Sequence, residues 1–472
     1  MQLVEPGGKA TISPGSLNFS GDTVARKTCM NDAEPTKTEP IGDDRTPAGS
    51  LSLFSAVNLV AASMIGAGVY TTSGFTLADL GSPERVIAAW IIGGGIAICG
   101  AISYGALASR FASSGGEYLF LSRAVHPAAG YVAGFVSILA GFTGATAFAA
   151  TAFESYLPKW NVLADLPSGT IASLAIVIGA LLHGAYARFG TPIQNAMVVG
   201  KFILMLGFFS VAASSYPDSW QGLEPTAPSA FPWSAFAVSL MWISLSYSGF
   251  NAAIYVASEV RKPQVNVARS LWIATVLVTI LYVILNTIFL YASASEAIIG
   301  QKEVAVIAAR SIGGVNFESL IRAVILVSLA TSVSAMMMSG PRVYAKMADD
   351  GALPSWFRFQ TDAPSFAIAF QAVLAIAVVQ VSTLQRLLSY LGFTLSVSAA
   401  LTVATIFLLR YRGEKIRVPF YPWPPLIFVI GTVMIASIAG FRQPIECLAG
   451  LVTLAVGLVV YGLFKPKTVT EF

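Results

Sequence analysis

Two short runs and one lysine carry the residue types on which chemistry could rest. Ser63-Met64-Ile65-Gly66-Ala67-Gly68-Val69 places two glycines inside an apolar stretch, and glycine is the least helix-favouring residue after proline. Ser246-Tyr247-Ser248-Gly249-Phe250-Asn251 interrupts a second apolar stretch near its middle. Where a helix is interrupted, N–H groups at the new N-terminus attract an anion such as a carboxylate, and freed carbonyls accept from an ammonium. An α-amino acid carries both groups. Lys201 stands as a single charge in a third apolar stretch. Other chemistries find no footing. Cys29, Cys99 and Cys447 lie far apart, and His126 and His183 are the two histidines, so no metal cluster, disulfide framework or nucleophile–base arrangement can be assembled. The reading is therefore of a non-enzyme with no cofactor and no metal.

The surroundings of these residues are unusual for a soluble chain. Of 472 residues, 55% are hydrophobic and 11% charged, whereas globular chains carry about 25% charged residues. The mean hydropathy is +0.71, and the solvent implied is lipid. A net charge of +4 with scattered basic residues gives no nucleic-acid partner. Stretches without Asp, Glu, Lys or Arg cover 51–78, 86–109, 124–153, 166–187, 225–258, 270–295, 323–341, 363–385, 387–409, 418–441 and 447–464, and 189–217 is broken by Lys201 alone. Each is long enough to cross a bilayer, which takes about 20 residues. Backbone against lipid must be helical or in a closed barrel. These runs predict an all-α membrane protein of twelve transmembrane helices.

Positive residues near span ends are retained on the cytoplasmic side. With both termini inside, twenty of the 28 Lys and Arg fall there: five before residue 50, then Arg110, Arg123, Arg188, Arg261, Lys262, Arg269, Arg342, Lys346, Arg358, Arg410, Arg412, Lys415, Arg417, Lys465 and Lys467. Seven fall outside and Lys201 within. Residues 1–49, rich in Pro, Gly, Thr and acids, read as a disordered cytoplasmic tail and not a cleavable signal peptide. Residues 465–472 read as a second, short cytoplasmic tail.

Numbered this way, the two glycine runs fall in spans one and six. For either pair alone, close helix packing is the bland explanation. Two interruptions at matching depth read differently, since unwound backbone in a membrane is tolerated where it lines a cavity. Spans five apart enter from opposite sides, so 50–217 and 225–410 are expected to be inverted five-helix repeats, with spans eleven and twelve (418–464) added. Lys201 lies thirteen residues after Arg188 and seventeen before Asp218, about 20–25 Å from either flank at 1.5 Å per residue. Its side chain cannot snorkel that far. An intramembrane lysine marks a functional site by default, here one that could take up and release a proton.

Four segments resemble one family. Met64-Ile65-Gly66-Ala67-Gly68-Val69-Tyr70 is similar to its G-[SA]-G-I-F element, and Ser114-Gly115-Gly116-Glu117-Tyr118 to its S/A-G-G-x-Y segment. Tyr247-Ser248-Gly249-Phe250-Asn251-Ala252-Ala253 with Glu259-Val260-Arg261-Lys262-Pro263 resembles Y-x-G-W-N…E-[VI]-K-N-P. Arg342 through Gly351, with Pro354, resembles R-x-x-x-x-M-A-x-D-G-x-L-P. The family is the amino acid–polyamine–organocation (APC) superfamily of permeases, within it the L-type amino-acid transporters and their bacterial relatives, and the likeness runs from about residue 50 to 465. It implies the LeuT-type fold, a 5+5 inverted repeat with two additional C-terminal helices, and alternating-access transport. By that resemblance the amides around Ile65, Gly66, Ala67 and Gly68 would hold the substrate carboxylate. Carbonyls around Leu245, Ser246 and Ser248 would hold the amino group, with Tyr247, Gly249, Phe250 and Asn251 at the pocket. Lys201 matches the span-five lysine whose ammonium stands where sodium-coupled relatives bind sodium. Its expected neighbours are span-one carbonyls and the hydroxyls of Ser328, Thr331, Ser332 and Ser334. Phe250 departs from the usual Trp and Ala268 from the usual Pro.

The middles of spans one, three, six, eight and ten contain no acid or base, and Glu154 and Glu259 read as helix-end charges. The expected substrate is therefore a neutral amino acid, moved without sodium, by proton coupling or by exchange, in the cell membrane. The alternatives are a polyamine or cationic amino-acid antiporter on the same fold, which needs an acid facing the cavity, and a transporter-like amino-acid sensor. Eukaryotic L-type members pair with a glycoprotein through a cysteine between spans three and four. Residues 158–168 contain no Cys, so no disulfide-linked heavy subunit is expected.

Overall fold

The structure, a computed structural model, describes residues 49–158, 166–218, 220, 230–442 and 444–464. The tails expected over 1–49 and 465–472, Gly49 apart, lie outside these residues, as does most of the 158–168 connection. Among the described residues every regular element is a helix, and one isolated parallel bridge joins Leu51 to Val260.

The first apolar stretch forms α1 (Leu53–Met64) and α2 (Gly68–Leu80), bent by 41° across the glycine run. Ser52 caps α1, its hydroxyl accepting from the Ser55 amide at 3.1 Å. Then follow α3 (Pro83–Arg110), a short α4 (Gly116–Ala124), and α5 (Pro127–Tyr156). α6 spans Thr170–Gly184 and α7 Ala187–Ser214. α8 (Trp233–Ser246) stops at the second glycine run and is continued by a 3-10 stretch, Ala252–Glu259. α9 (Pro263–Tyr291), a single turn α10 (Ser295–Ile298) and the 46-residue α11 (Val304–Asp349) come next. The chain closes with α12 (Ser365–Val381), α13 (Leu384–Tyr411), α14 (Trp423–Arg442) and α15 (Pro444–Phe464). Pro83, Pro127 and Pro263 each open a helix, the position where a missing N–H costs nothing.

Among the described residues seven helices are long and apolar enough to cross a membrane, or eight if α1 and α2 count as one span. Four more, on α6, α8, α12 and α14, are apolar but shorter than 18 residues in their qualifying length. Two differences from the sequence reading are structural. The eighth expected span, 323–341, is the middle of a helix that starts at Val304 and bends at Gly313 and Gly314, where Gly314 takes a positive φ of 65°. The connection before the third span holds α4, a helix too short and polar for hydropathy to find. On α6, Leu174, Val177, Ile178 and Leu181 are all exposed at helical spacing. That apolar stripe faces lipid in a multi-pass membrane protein. The opposite chemistry lies inside, where Trp90, Tyr70, Tyr104, Tyr247, Tyr282 and Lys201 are among the largest fully buried side chains.

Candidate functional site: two helix breaks on one cavity

The two breaks touch. A Cβ built on Gly68 would overlap the Ser246 hydroxyl and lie 3.2 Å from the Ser246 Cα. One on Gly249 would meet the Ser63 carbonyl oxygen at 2.7 Å, and Gly249 sits at φ 94°, a conformation that costs other residues about 1–2 kcal/mol. Close approach explains why these positions are glycine. Gly66 is looser, its nearest atom being the Ser332 hydroxyl at 3.7 Å.

Several backbone groups in the breaks have defined partners. The Ile65 amide closes α1 by donating to Ala61 O at 3.0 Å, and the Gly66 amide donates to Met64 O at 2.9 Å. The first N–H groups of α2, from Ala67 and Gly68, belong to a turn that leaves its donors without intrahelical acceptors. On the opposing segment Leu245 O accepts from the Ser248 amide at 3.0 Å. Ser246 O accepts at 2.9 Å from the Tyr282 hydroxyl, which also lies 2.7 Å from Met64 O. A single hydroxyl proton on α9 thus bridges both breaks. Ser332 does similar work, its hydroxyl lying 3.0 Å from Ala62 O and 3.1 Å from Ile65 O.

A cavity of about 200 Å³ opens between these segments, lined by Gly66, Ala67 and Gly68 on one side and Leu245 through Asn251 on the other. Ile65 is fully buried and outside its lining. Tyr247 is fixed by donating to Trp90 O at 2.9 Å. Phe250 packs edge-on against Tyr104 and Phe428, at 5.4 and 5.7 Å between centroids. The third wall comes from α5, where Ser137–Gly144 winds as a π-helix and presents Ser137, Gly141 and Phe142, a distortion often met at functional sites.

Lys201 on α7 is wholly buried and donates to the Thr331 hydroxyl at 3.2 Å. Of the four hydroxyls expected beside it, Ser332 is bonded to α1, Ser334 pairs with His183 at 2.8 Å, and Ser328 donates to Val324 O at 2.7 Å. Thr331 is the one of the four that holds the ammonium, and it also donates to Ser328 O. Asn195, one turn and a half earlier, ties α7 to Ser55 and Asn58 of α1 at 2.9 and 3.3 Å.

Three features have little or no mark in the sequence. Tyr282 lies in a featureless apolar span, the π-turns have no local signature, and Glu117 stands out only as part of a motif. Glu117 lines the cavity and is 5% exposed, so an acid does face it, contrary to the expectation that none would. Its signal is its place beside Gly115 and Gly116 ahead of an apolar span. Among the described residues no group of three or more His, Cys, Asp and Glu is placed to hold a metal.

Apolar helices long enough to span a bilayer, with two helix breaks that meet on one cavity, fit a membrane transporter. The amino acid permease family profile matches residues 51–459, and the chain belongs to that family. Its relatives include the human large neutral amino acids transporter small subunit 2, 25% identical across 89% of this chain and 82% of that one. The mouse Asc-type amino acid transporter 1 is 22% identical over 89% and 83%. The serine/threonine exchanger SteT of Bacillus subtilis (strain 168) is 25% identical over 88% and 97%. The relatives are transporters, and the chain is no enzyme.

Proposed function

We propose that the chain is a secondary active carrier of neutral amino acids in the cell membrane, sodium-independent and working by alternating access. The observation that carries this reading is the meeting of the breaks on one cavity. There the donors of Ala67 and Gly68 suit a carboxylate, and the carbonyl side of Leu245, Ser246 and Ser248 suits an ammonium. Ile65 and Gly66, whose amides are already bonded, serve as the turn that aims them. Gly249 and Asn251 shape the opposite wall. The substrates in the relatives' names, large neutral amino acids and serine/threonine, favour a neutral side chain.

The same reading takes twelve spans with both termini cytoplasmic, five-helix repeats of opposite orientation over 50–217 and 225–410, and two further helices. Lys201 holds a fixed positive charge where an ion would otherwise bind, with Thr331 as its anchor, while Ser332 and Ser334 bond to α1 and His183 instead. The transporter named a small subunit implies an assembly of its own. For this chain, whose 158–168 connection has no Cys, we take a disulfide-linked heavy subunit to be absent.

A second reading, exchange of polyamines or cationic amino acids, has one observation in its favour, the Glu117 carboxylate at the cavity wall. Counterflow of labelled substrates in proteoliposomes of the full chain separates the possibilities. Neutral amino acids are expected to exchange. Arginine, ornithine or putrescine as the best substrates would overturn the neutral assignment, and binding without flux would make the protein a sensor.

A further inference from the structure

Among the described residues Glu117 is the one acid on the cavity wall, and its surroundings are specific. The turn Gly115-Gly116, at φ 130° and 57°, presses α4 so close to the 3-10 stretch that a Cβ on Gly116 would overlap the Tyr255 ring. That approach delivers Glu117 to the segment carrying Phe250 and Asn251. Its Oε1 accepts from the Asn251 amide at 2.6 Å and from the Tyr104 hydroxyl at 3.0 Å. The Tyr255 hydroxyl, which accepts from Asn251 at 3.0 Å, lies beside it. Its Oε2 is buried and has no hydrogen-bond partner among the described residues.

Charged and titratable groups on and around the packed elements include Tyr118 and Arg123 on α4 itself, Tyr104 on α3, Tyr255 on the 3-10 stretch, His126 and Tyr131 around the start of α5, and Tyr390, Arg410, Tyr411 and Arg412 on and just after α13. Towards the end of α11 they are Arg342, Tyr344, Lys346 and Asp349, with Asp350 just beyond it. The α11 cations have other anions: Arg342 binds Glu259, and Lys346 binds Asp350 at 2.8 Å. The donors bonded to the carboxylate, Asn251 and Tyr104, are both neutral. A buried charge without a counter-ion is costly.

We propose that Glu117 is a proton-binding site of the transport cycle, the proton residing on the unpartnered Oε2. This rests on the amino-acid transport reading. Protonation forms one O–H bond on Oε2 with a proton from water on one side, and the same bond breaks to release it on the other. Neither event disturbs Oε1, which keeps both its donors. Asn251 makes the connection mechanical, because the residue bonded to Glu117 is part of the break that carries the ammonium-binding carbonyls. Burial pushes the Glu117 carboxyl above the usual carboxylate range. The pH at which the group exchanges its proton is accordingly raised.

The test uses full-length protein in proteoliposomes loaded with a pH-sensitive dye and given a neutral amino acid at external pH values from about 5.5 to 8, above the ordinary carboxyl range. For the wild type, uptake is expected to rise about tenfold towards the acid end, with acidification of the lumen. Glu117→Gln is expected to flatten the profile and abolish the dye signal, and Glu117→Asp to restore a pH-dependent one. Tyr104→Phe removes a donor to the charged form, so its midpoint is expected to move up by about half a unit to one unit. This arm decides the matter if Glu117→Gln fails to fold. A wild type without a dye signal, a Gln variant with the wild-type profile, or an unmoved Tyr104→Phe midpoint overturns the proposal. So does a loss confined to cationic substrates, which would make Glu117 an ammonium subsite. Failure of the wild type to exchange any labelled amino acid would instead sink the transport reading itself.

Discussion

Glycine at three neighbouring positions does three different jobs, and substitution separates them. Gly68→Ala drives a methyl into Ser246, including its backbone, an overpacking that costs about 1–3 kcal/mol. Gly249→Ala adds the strain of a positive φ to a contact with the Ser63 carbonyl. Gly66→Ala finds only the Ser332 hydroxyl at van der Waals distance. Thermal unfolding of the purified variants should therefore rank Gly66→Ala nearest the wild type, with uptake of the other two down tenfold or more. Equal loss in all three would contradict the interlocked geometry. The glycine runs and Lys201 are legible in the sequence because each is a local anomaly, a helix breaker or a charge in an apolar run. Glu117 and Tyr282 are not. Their roles depend on partners 134 and 218 residues away, and nothing in their own neighbourhoods encodes those contacts.

At the scale of elements, the end of the 3-10 stretch is fastened twice. The segment before α1 adds a parallel bridge, Leu51 donating to Glu259 O at 2.8 Å and accepting from the Arg261 amide at 2.9 Å. Glu259 itself forms a buried two-point ion pair with Arg342 of α11, with Oε2 to Nη2 at 3.1 Å. Removing one partner of such a pair leaves an uncompensated charge and costs about 3–5 kcal/mol, whereas an apolar replacement of both is often close to neutral. Glu259→Leu alone should lower the melting temperature sharply, and the Glu259→Leu, Arg342→Met double variant should recover much of that loss. A double variant as unstable as the sum of the singles would show that each residue works independently. From its place in the chain Glu259 reads as a helix-end charge, and its partner is invisible from that position. Most helices, by contrast, stand close to where the apolar runs put them, since a lipid-facing surface demands an uninterrupted apolar run, while α4, α10 and the early start of α11 fall below that signal.

For the whole molecule, the proposed division of labour gives Lys201 the charge of a bound cation and leaves the cavity to the zwitterion. Uptake into proteoliposomes should then be the same, within about twofold, when external sodium is replaced by potassium. Lys201→Ala should lose at least tenfold, because the ammonium that Thr331 holds is wholly buried and water cannot replace it. A steep sodium requirement in the wild type, or full activity in the variant, would remove Lys201 from the cycle.

The wide turns of α5 have a consequence of register. Phe148 and Ala149, past the Ser137–Gly144 stretch, still face the cavity, and Glu154 still reaches the amides of Gly169 and Ala172 at 2.8 Å each. In an α-helix every residue added or removed rotates the remainder of the helix by about 100°. Shortening the stretch by a single residue would swing the pocket wall and the clasp on α6 away together, so the length of this segment is fixed by two remote obligations at once.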